Sequence, residues 1–99
     1  MSYTRINPTV ESQGALVFKG TLSSSITDLN NATTPGIYQL DGADRTNVPS
    51  GTYKWRFLVV LSVGAIKEQF VFGNASVVFF RGYSGSPGVW GSWHAISST

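Results

Sequence analysis

Residues 54–63 constrain the fold more than any other stretch, because apolar side chains recur there with a period of two. One face of an extended chain would carry five apolar residues: Trp55, Phe57, Val59, Leu61 and Val63. The opposite face would carry the alternate residues: Lys54, Arg56, Leu58, Val60 and Ser62. Alternation of aromatic and β-branched residues predicts a β-strand. Because Leu58 and Val60 make the second face apolar too, we expect loops or neighbouring subunits to cover it.

Other apolar runs predict further strands at residues 15–20, 37–40, 67–72, 75–81 and 89–96. Gly73-Asn74 separates two of these runs and predicts a tight hairpin, with Gly73 at a positive φ. Glycine adopts that conformation without a steric cost, whereas other residues do not. Consecutive strands joined by short turns predict antiparallel pairing.

The segment before the 37–40 strand holds the only predicted helix. Residues 23–31 predict one or two helical turns, capped by Asp28 or Thr27 and held against the sheet by Leu29. Residues 33–36 predict a type II turn, because a proline presets φ and a glycine follows it. The predicted fold class is mainly β, a small antiparallel sheet or sandwich with one short helix.

Length and composition bound the domain and its partners. The 99 residues suffice for one domain, which we place at residues 15–97 after an extended lead-in at residues 1–14. With no cysteine, the chain has neither a disulfide nor a thiolate metal site. Charged residues make up only 12% of the chain, so the surface suits neutral glycans or another subunit. Scattered Lys and Arg argue against nucleic acid, and no apolar stretch approaches the roughly 18 residues of a membrane span.

Few residues offer catalytic or metal chemistry. His94 is the only histidine, and a lone histidine on a strand is more often a structural hydrogen-bonding residue. The carboxylates are Glu11, Asp28, Asp41, Asp44 and Glu68. A glycosidase needs two carboxyl groups held across a cleft, and Asp41 with Glu68 is the one pair left to consider. We therefore expect no catalytic residue, no metal site and no cofactor.

Aromatic residues near the C-terminal end are the candidates for binding. We place Tyr83 in a glycine- and serine-rich loop beside Ser84 and Ser86, because loops on a rigid scaffold commonly carry binding residues. Trp90 and Trp93, three apart on a predicted strand, would point to opposite faces. One would then anchor the core while the other meets solvent, a loop or a partner chain, unless core or loops cover both. The candidate glycan- or receptor-binding set is Tyr83, Ser84, Ser86 and Trp90.

Arg81 is a candidate for a structural role. It follows four apolar residues and shares a face with Val77 and Phe79. An arginine that is partly buried there needs a partner inside the fold, and Asp28 or backbone carbonyls would serve.

Several short motifs follow one another in order along residues 16–96. They are Asp28-Leu29-Asn30, Thr34-Pro35-Gly36-Ile37-Tyr38, Asn47-Val48-Pro49, Gln69, Arg81 with an aromatic residue after it, and Trp90-Gly-Ser-Trp93. In this order and spacing they resemble the pyocin-knob domain of phage and R-type pyocin tail fibres. Each motif alone is common, and it is their combination that carries the resemblance.

The resemblance implies a non-enzymatic, usually trimeric fibre protein that positions or forms the receptor-binding tip. It implies a bacterial surface polysaccharide or other envelope receptor as partner, together with the rest of the fibre. The implied location is the virion tail fibre or a tail-like particle, reached without a signal peptide. Asp28, Gln69, Arg81 and Trp93 would then be structural. The alternative is a module that only trimerises and spaces the fibre. A third, a glycan-degrading tip, needs a carboxylate pair that the sequence barely offers.

Overall fold

The computed structural model describes residues 16–50, 53–74 and 76–97. In these ranges the chain forms a seven-stranded sheet. The strands are β1 (Phe18–Thr21), β2 (Gly36–Gln39), β3 (Phe57–Val63), β4 (Ile66–Phe72), β5 (Val77–Ser84), β6 (Val89–Trp90) and β7 (His94–Ser97). The one helical segment in the described residues is a 3-10 turn, Leu29–Asn31, which is too short to cross a membrane. The prediction of a mainly β fold is confirmed.

The sheet follows the chain from β1 to β6 in sequence order. Strands β2 to β5 pair antiparallel, as predicted, whereas β1 joins the edge parallel to β2. Both β6 and β7 pair with β5, β6 at its end and β7 at its start. They therefore occupy one edge position, and the predicted single strand at 89–96 is interrupted. Gly91 still donates its N–H to the Gly82 carbonyl (2.8 Å), and the chain then leaves the ladder until His94.

One side of the sheet, which we call the covered face, carries Leu58, Val60 and Val71, all fully buried. The chain before and after β2 lies over it, and we call residues 22–32 and 40–50 the covering layer. The buried apolar residues outside the strands are Leu22, Leu29, Ala32, Leu40 and Tyr53. Each large side chain buried in this way contributes about 1.5–3 kcal/mol. Loops of the same chain, rather than neighbouring subunits, therefore cover the Leu58 and Val60 face.

Arg45 fastens two parts of the covering layer to each other. Its Nε donates to the Ile26 carbonyl (2.8 Å), and its Nη2 donates to the Leu22 and Ser23 carbonyls (3.4 Å each). Its Nη1 donates to the Asp41 carboxylate at 3.2 Å. Burying a guanidinium without acceptors for its N–H groups is costly, and these acceptors offset that cost for Arg45. These four acceptors explain how a segment with little regular secondary structure forms a fixed second layer.

The other side of the sheet, which we call the open face, carries Phe57, Val59, Leu61 and Val63 from β3. Paired residues share a face, and Val59 pairs with Ile37 on β2 and with Phe70 on β4. Phe70 in turn pairs with Phe80 on β5. In the described part of the chain, Phe57, Leu61 and Val63 remain exposed. The open face is therefore a largely apolar surface that meets solvent.

Two predicted turns differ from the structure. Gly73 does not adopt a positive φ; that conformation falls instead on Ser76 (φ 64°), at the end of the connection between β4 and β5. Residues 33–36 do not form a type II turn, because Gly36 has an extended φ of 156° and begins β2. A Cβ at Gly36 would lie 2.6 Å from Cγ of Lys19. Glycine is thus required there by close packing against β1.

Two predicted elements are shorter than expected. The strand placed at 54–63 begins only at Phe57, and Trp55 lies in a turn with 70% of its surface exposed. The helix placed at 23–31 is reduced to its last turn, with Asp28 as N-cap and Leu29 buried against the sheet. Serines and threonines at 23–27 form turns instead, because their hydroxyls compete for the backbone.

Candidate functional site

Asp28 begins the helical turn and fixes its position. Its Oδ1 accepts hydrogen bonds from the Asn30 backbone N–H (2.8 Å) and from Nδ2 of Asn47 (2.9 Å). Both bonds favour the charged carboxylate. The Asn47 bond first and the Asn30 bond second therefore hold the pKa of Asp28 below its ordinary value. The cap joins the helical turn to the second half of the covering layer.

Gln69 lies on β4 and is fully buried on the covered face. Its Nε2 donates to the Leu29 carbonyl (2.6 Å) and to the Ala32 carbonyl (3.0 Å). Its Oε1 accepts from Nε of Arg81 at 2.8 Å. One amide thus satisfies the Ala32 carbonyl and the Arg81 Nε, which would otherwise be buried without partners. It also adds a second donor to the Leu29 carbonyl, which accepts from the Ala32 N–H as well (3.1 Å). It ties the covering layer to the centre of the sheet.

Arg81, on β5, is 4% exposed and lies between two indole rings. Its Cζ is 4.4 Å from the ring centroid of Trp90 and 4.5 Å from that of Trp93, within the range of cation–π attraction. Burial lowers the pKa of Arg81 to about 10, and the negative charge of Asp28 acts in the opposite sense. Arg81 is therefore charged at neutral pH. Its hydrogen-bonded partner is Gln69, not the Asp28 carboxylate or the carbonyls expected from the sequence.

Trp90 and Trp93 both lie on the covered face, so the expectation that they point to opposite faces is wrong. Nε1 of Trp90 donates to the Asn30 carbonyl (3.2 Å), and Nε1 of Trp93 donates to the Asn47 carbonyl (3.1 Å). The expectation assumed a continuous strand, and alternation is lost where the chain leaves the ladder between β6 and β7. Both indoles are engaged inside the fold.

These contacts join residues that are far apart in the sequence into one network, which we call the clamp: Asp28, Asn47, Gln69, Arg81, Trp90 and Trp93. Every member comes from a motif that carries the family resemblance. The clamp fastens the covering layer to the sheet, and this places these residues in the framework of the fold.

The candidate binding residues do not form one surface. Tyr83 belongs to β5, which extends to Ser84, rather than to a loop. Its ring lies 5.3 Å from that of Trp90 and 5.0 Å from Nζ of Lys67, so it is half-buried on the covered face. Ser84, the next residue of the strand, belongs to the open face. Its Oγ accepts from the backbone N–H of Ser86 (3.3 Å) and shapes the following turn.

A shallow groove of about 500 Å³ lies at the end of the open face between β4, β5 and β6. Two of the four candidate binding residues, Tyr83 and Ser84, border it. The remaining lining residues are Ile66, Glu68, Gly82, Pro87, Val89 and Gly91. The groove is therefore lined by apolar residues, one carboxylate and two residues that carry a hydroxyl, Tyr83 and Ser84.

Gly82 creates the floor of this groove. It pairs with Glu68 across β4 and β5, and a Cβ at Gly82 would lie 2.8 Å from Oε2 of Glu68. The Glu68 carboxylate consequently lies over the glycine backbone. A carboxylate in that position can accept hydrogen bonds from hydroxyl or amine groups, while Ile66 and Val89 offer apolar contact. This arrangement suits a small polyhydroxylated ligand.

The carboxylates are dispersed. Asp41 bonds Arg45, and the Ala43 N–H first and Arg45 second lower the pKa of Asp41. Asp44 bonds Lys54, which lowers the pKa of Asp44. Glu68 lies on the open face, so it does not share a cleft with Asp41. Among residues 16–50, 53–74 and 76–97, no group of three His, Cys, Asp or Glu could hold a metal ion.

Comparisons with protein-family models, with curated proteins and with solved structures find no match for this chain.

Reasoning from the sequence missed the groove and the place of Glu68 in it. The available signal was Gly82 and Gly91 beside apolar strand residues, since an isolated glycine in a strand often marks a close approach of a ligand or another backbone. It also missed Asn47, whose side chain and carbonyl both take part in the clamp.

Proposed function

We propose that this chain is a non-enzymatic knob domain of a phage tail fibre or a phage-tail-like particle. It takes part in attachment to the bacterial surface through a polysaccharide or another envelope receptor. As part of a fibre it assembles as a homotrimer with the rest of the fibre protein, and its location is the virion tail fibre.

The observation that carries the proposal is the clamp. Six residues from five motifs of the resemblance, Asp28 to Trp93, meet in a single network of hydrogen bonds and cation–π contacts. Residues that depend on each other in this way act as one structural signature rather than as unrelated short matches. This supports the knob assignment, from which the fibre function follows.

The groove bordered by Tyr83 and Ser84 is the surface that we assign to the receptor. Among the described residues that line it, Glu68 is the charged one. A carboxylate repels phosphate and uronate groups and attracts hydroxyl and amine donors. We therefore assign to this site a neutral or amino sugar rather than an anionic one.

The proposal is tested with the full chain on an array of purified bacterial lipopolysaccharides, capsules and wall polysaccharides. We expect Glu68→Ala and Ser84→Ala to weaken binding to the recognised glycan, the glutamate change by about tenfold or more. A hydrogen bond to a charged group contributes about 1.5–3 kcal/mol, and 1.4 kcal/mol is tenfold in affinity.

Asp44→Ala is the matched control, because Asp44 is an exposed carboxylate outside the groove. Tyr83→Ala tests the aromatic residue at the border of the groove, and its thermal melt must be compared with wild type because the ring lies on the covered face against Trp90. Failure of the wild-type chain to bind any glycan or bacterial surface would contradict attachment, as would unchanged binding by both groove variants.

The alternative, a module that trimerises and spaces the fibre without touching the receptor, is supported by a different observation. The open face presents apolar side chains from several strands to solvent. Such a surface serves assembly rather than glycan recognition. The array separates the two functions, since a spacer would bind no glycan.

A further inference from the structure

The open face outside the groove forms an apolar patch that spans the sheet from edge to edge. Its most exposed members are Phe18, Phe57, Leu61, Val63, Phe72 and Ile96, each between 39% and 82% exposed. Ile37, Val59, Phe70 and Phe80 fill the positions between them. In the described ranges, the strand positions of this patch carry no Lys, Arg, Asp or Glu, although Glu68 borders the patch where it pairs with Leu61.

The area of this patch matches that of a stable protein interface. A large apolar or aromatic side chain buries on the order of 150–250 Å² when it is fully covered. Six side chains that are about half exposed, with the part-exposed residues between them, therefore offer roughly 600–800 Å². A standard interface buries about 800 Å² per partner, and monomers rarely expose an apolar patch this large without using it.

The patch contains both a cleft and a side chain that can fill one. A cleft of about 310 Å³ is lined only by apolar residues, Ile37, Phe57, Val59 and Phe72. At the other edge of the sheet, Ile96 on β7 is 61% exposed. One copy can thus supply the apolar side chain that fills the cleft of the next, a head-to-tail contact of the kind that can close into a ring of three.

We propose that the open face packs against a second copy of this chain, with Val59 near the centre of the contact. Interfaces between identical subunits are more apolar than transient ones, and this patch without charged residues fits the first kind. An exposed apolar face needs a partner that is present as soon as the chain folds. A second copy of the same chain meets that need. The first 15 residues carry only Met1, Tyr3, Ile6 and Val10 as large apolar side chains, too few to match it.

The open face is then the surface through which the proposed homotrimer assembles, so this proposal rests on that part of the proposed function. It does not depend on receptor binding, because the groove adjoins the patch only where Glu68 and Ile66 pair with Leu61 and Val63, away from Val59 and Ile96. Receptor binding and self-association can therefore fail separately.

Sedimentation velocity of the full chain across a wide range of concentration tests the inference. We expect wild type to self-associate, and Ile96→Lys and Val59→Lys to weaken association on the order of tenfold or more. Val89→Lys is the matched control, because it places the same charge on an exposed strand residue beyond the patch. Circular dichroism and thermal melts of each variant separate lost association from lost folding. Ile96→Lys, at an exposed edge position, keeps the test valid if the central change unfolds the domain.

A wild-type chain that sediments as a monomer at every concentration would overturn the inference. So would an Ile96→Lys variant that folds and associates as wild type does. Three copies would agree with the proposed fibre symmetry, whereas a stable dimer would keep the surface and contradict the threefold arrangement. A monomeric variant that still binds glycan would show that attachment stands without this face.

Discussion

At the scale of single residues, Gln69 connects three separate parts of the chain. Its amide satisfies two carbonyls of the helical turn and the Nε of Arg81. All of these groups are shielded from water, and loss of the amide leaves the Ala32 carbonyl and the Arg81 Nε without partners, whereas the Leu29 carbonyl keeps the Ala32 N–H. That cost exceeds the net gain from forming an average hydrogen bond. Gln69 and Arg81 therefore hold the covering layer at one position, while the apolar contacts around them supply most of the burial.

We expect Gln69→Leu to lower the free energy of unfolding by about 3 kcal/mol or more, because it leaves the Ala32 carbonyl and a guanidinium N–H buried without partners. Urea denaturation monitored by tryptophan fluorescence measures the change. Gln69→Leu combined with Arg81→Met should recover part of the loss, since the uncompensated charge is then gone too. A double variant that is less stable than the sum of the single changes would contradict this account.

At the scale of elements, the turns of the β3–β4 and β4–β5 hairpins differ in how well their residues suit them. The first turn has glycine at its positive-φ position, Gly64 with φ 60°, and nothing lies within 4 Å of a Cβ placed there. The second connection has serine at such a position, Ser76 with φ 64°. A residue other than glycine pays a conformational cost in the left-handed region. The same backbone conformation is therefore relaxed in one hairpin and strained in the other.

We expect Ser76→Gly to raise the free energy of unfolding by about 1 kcal/mol and Gly64→Ala to lower it by a similar amount. Thermal and urea unfolding of both variants measures this pair. Ser76→Ala is the control, because it removes the hydroxyl without relieving the backbone. A gain in stability from Ser76→Ala equal to that from Ser76→Gly would show that backbone strain is not the cause.

The strands also show how much of the fold could be predicted from the sequence. Strands β3 to β5 were predictable because alternation and short connections specify register locally. The break between β6 and β7 was not, because it depends on the indoles of Trp90 and Trp93 reaching distant carbonyls. For the same reason the two tryptophans were assigned to opposite faces. The groove depends on Gly82 facing Glu68, a pairing that only the register of β4 and β5 reveals.

At the scale of the whole molecule, the two layers differ in their chemistry. Both layers supply buried apolar side chains, whereas Asp28, Asp41 and Asp44 all lie in the covering layer. The pKa of each of these carboxyls is lowered, by Asn47 at Asp28, by the Ala43 N–H at Asp41 and by Lys54 at Asp44. Protonation of these carboxyls at low pH therefore destabilises the covering layer.

We expect the stability of the domain to be constant near neutral pH and to fall as the pH drops below about 4. The unfolded chain takes up protons near the ordinary Asp pKa of 3.8, and the folded chain does so only at lower pH, so protonation favours unfolding. Urea denaturation at a series of pH values measures the slope. Asp28→Asn keeps an oxygen at the cap but removes the charge, and should make the slope shallower. An unchanged slope in that variant would assign the acid sensitivity to the other carboxyls.

The side chains that hold the covering layer in place reach mainly for its backbone. Gln69, Trp90, Trp93 and Arg45 all donate to carbonyl oxygens of that layer. A carbonyl is present whichever amino acid occupies the position. These hydrogen bonds therefore depend on the path of the backbone and not on the side chains of the layer. The exposed side chains of the layer are consequently free to vary during evolution without loosening it. One scaffold can in this way carry many different outer surfaces.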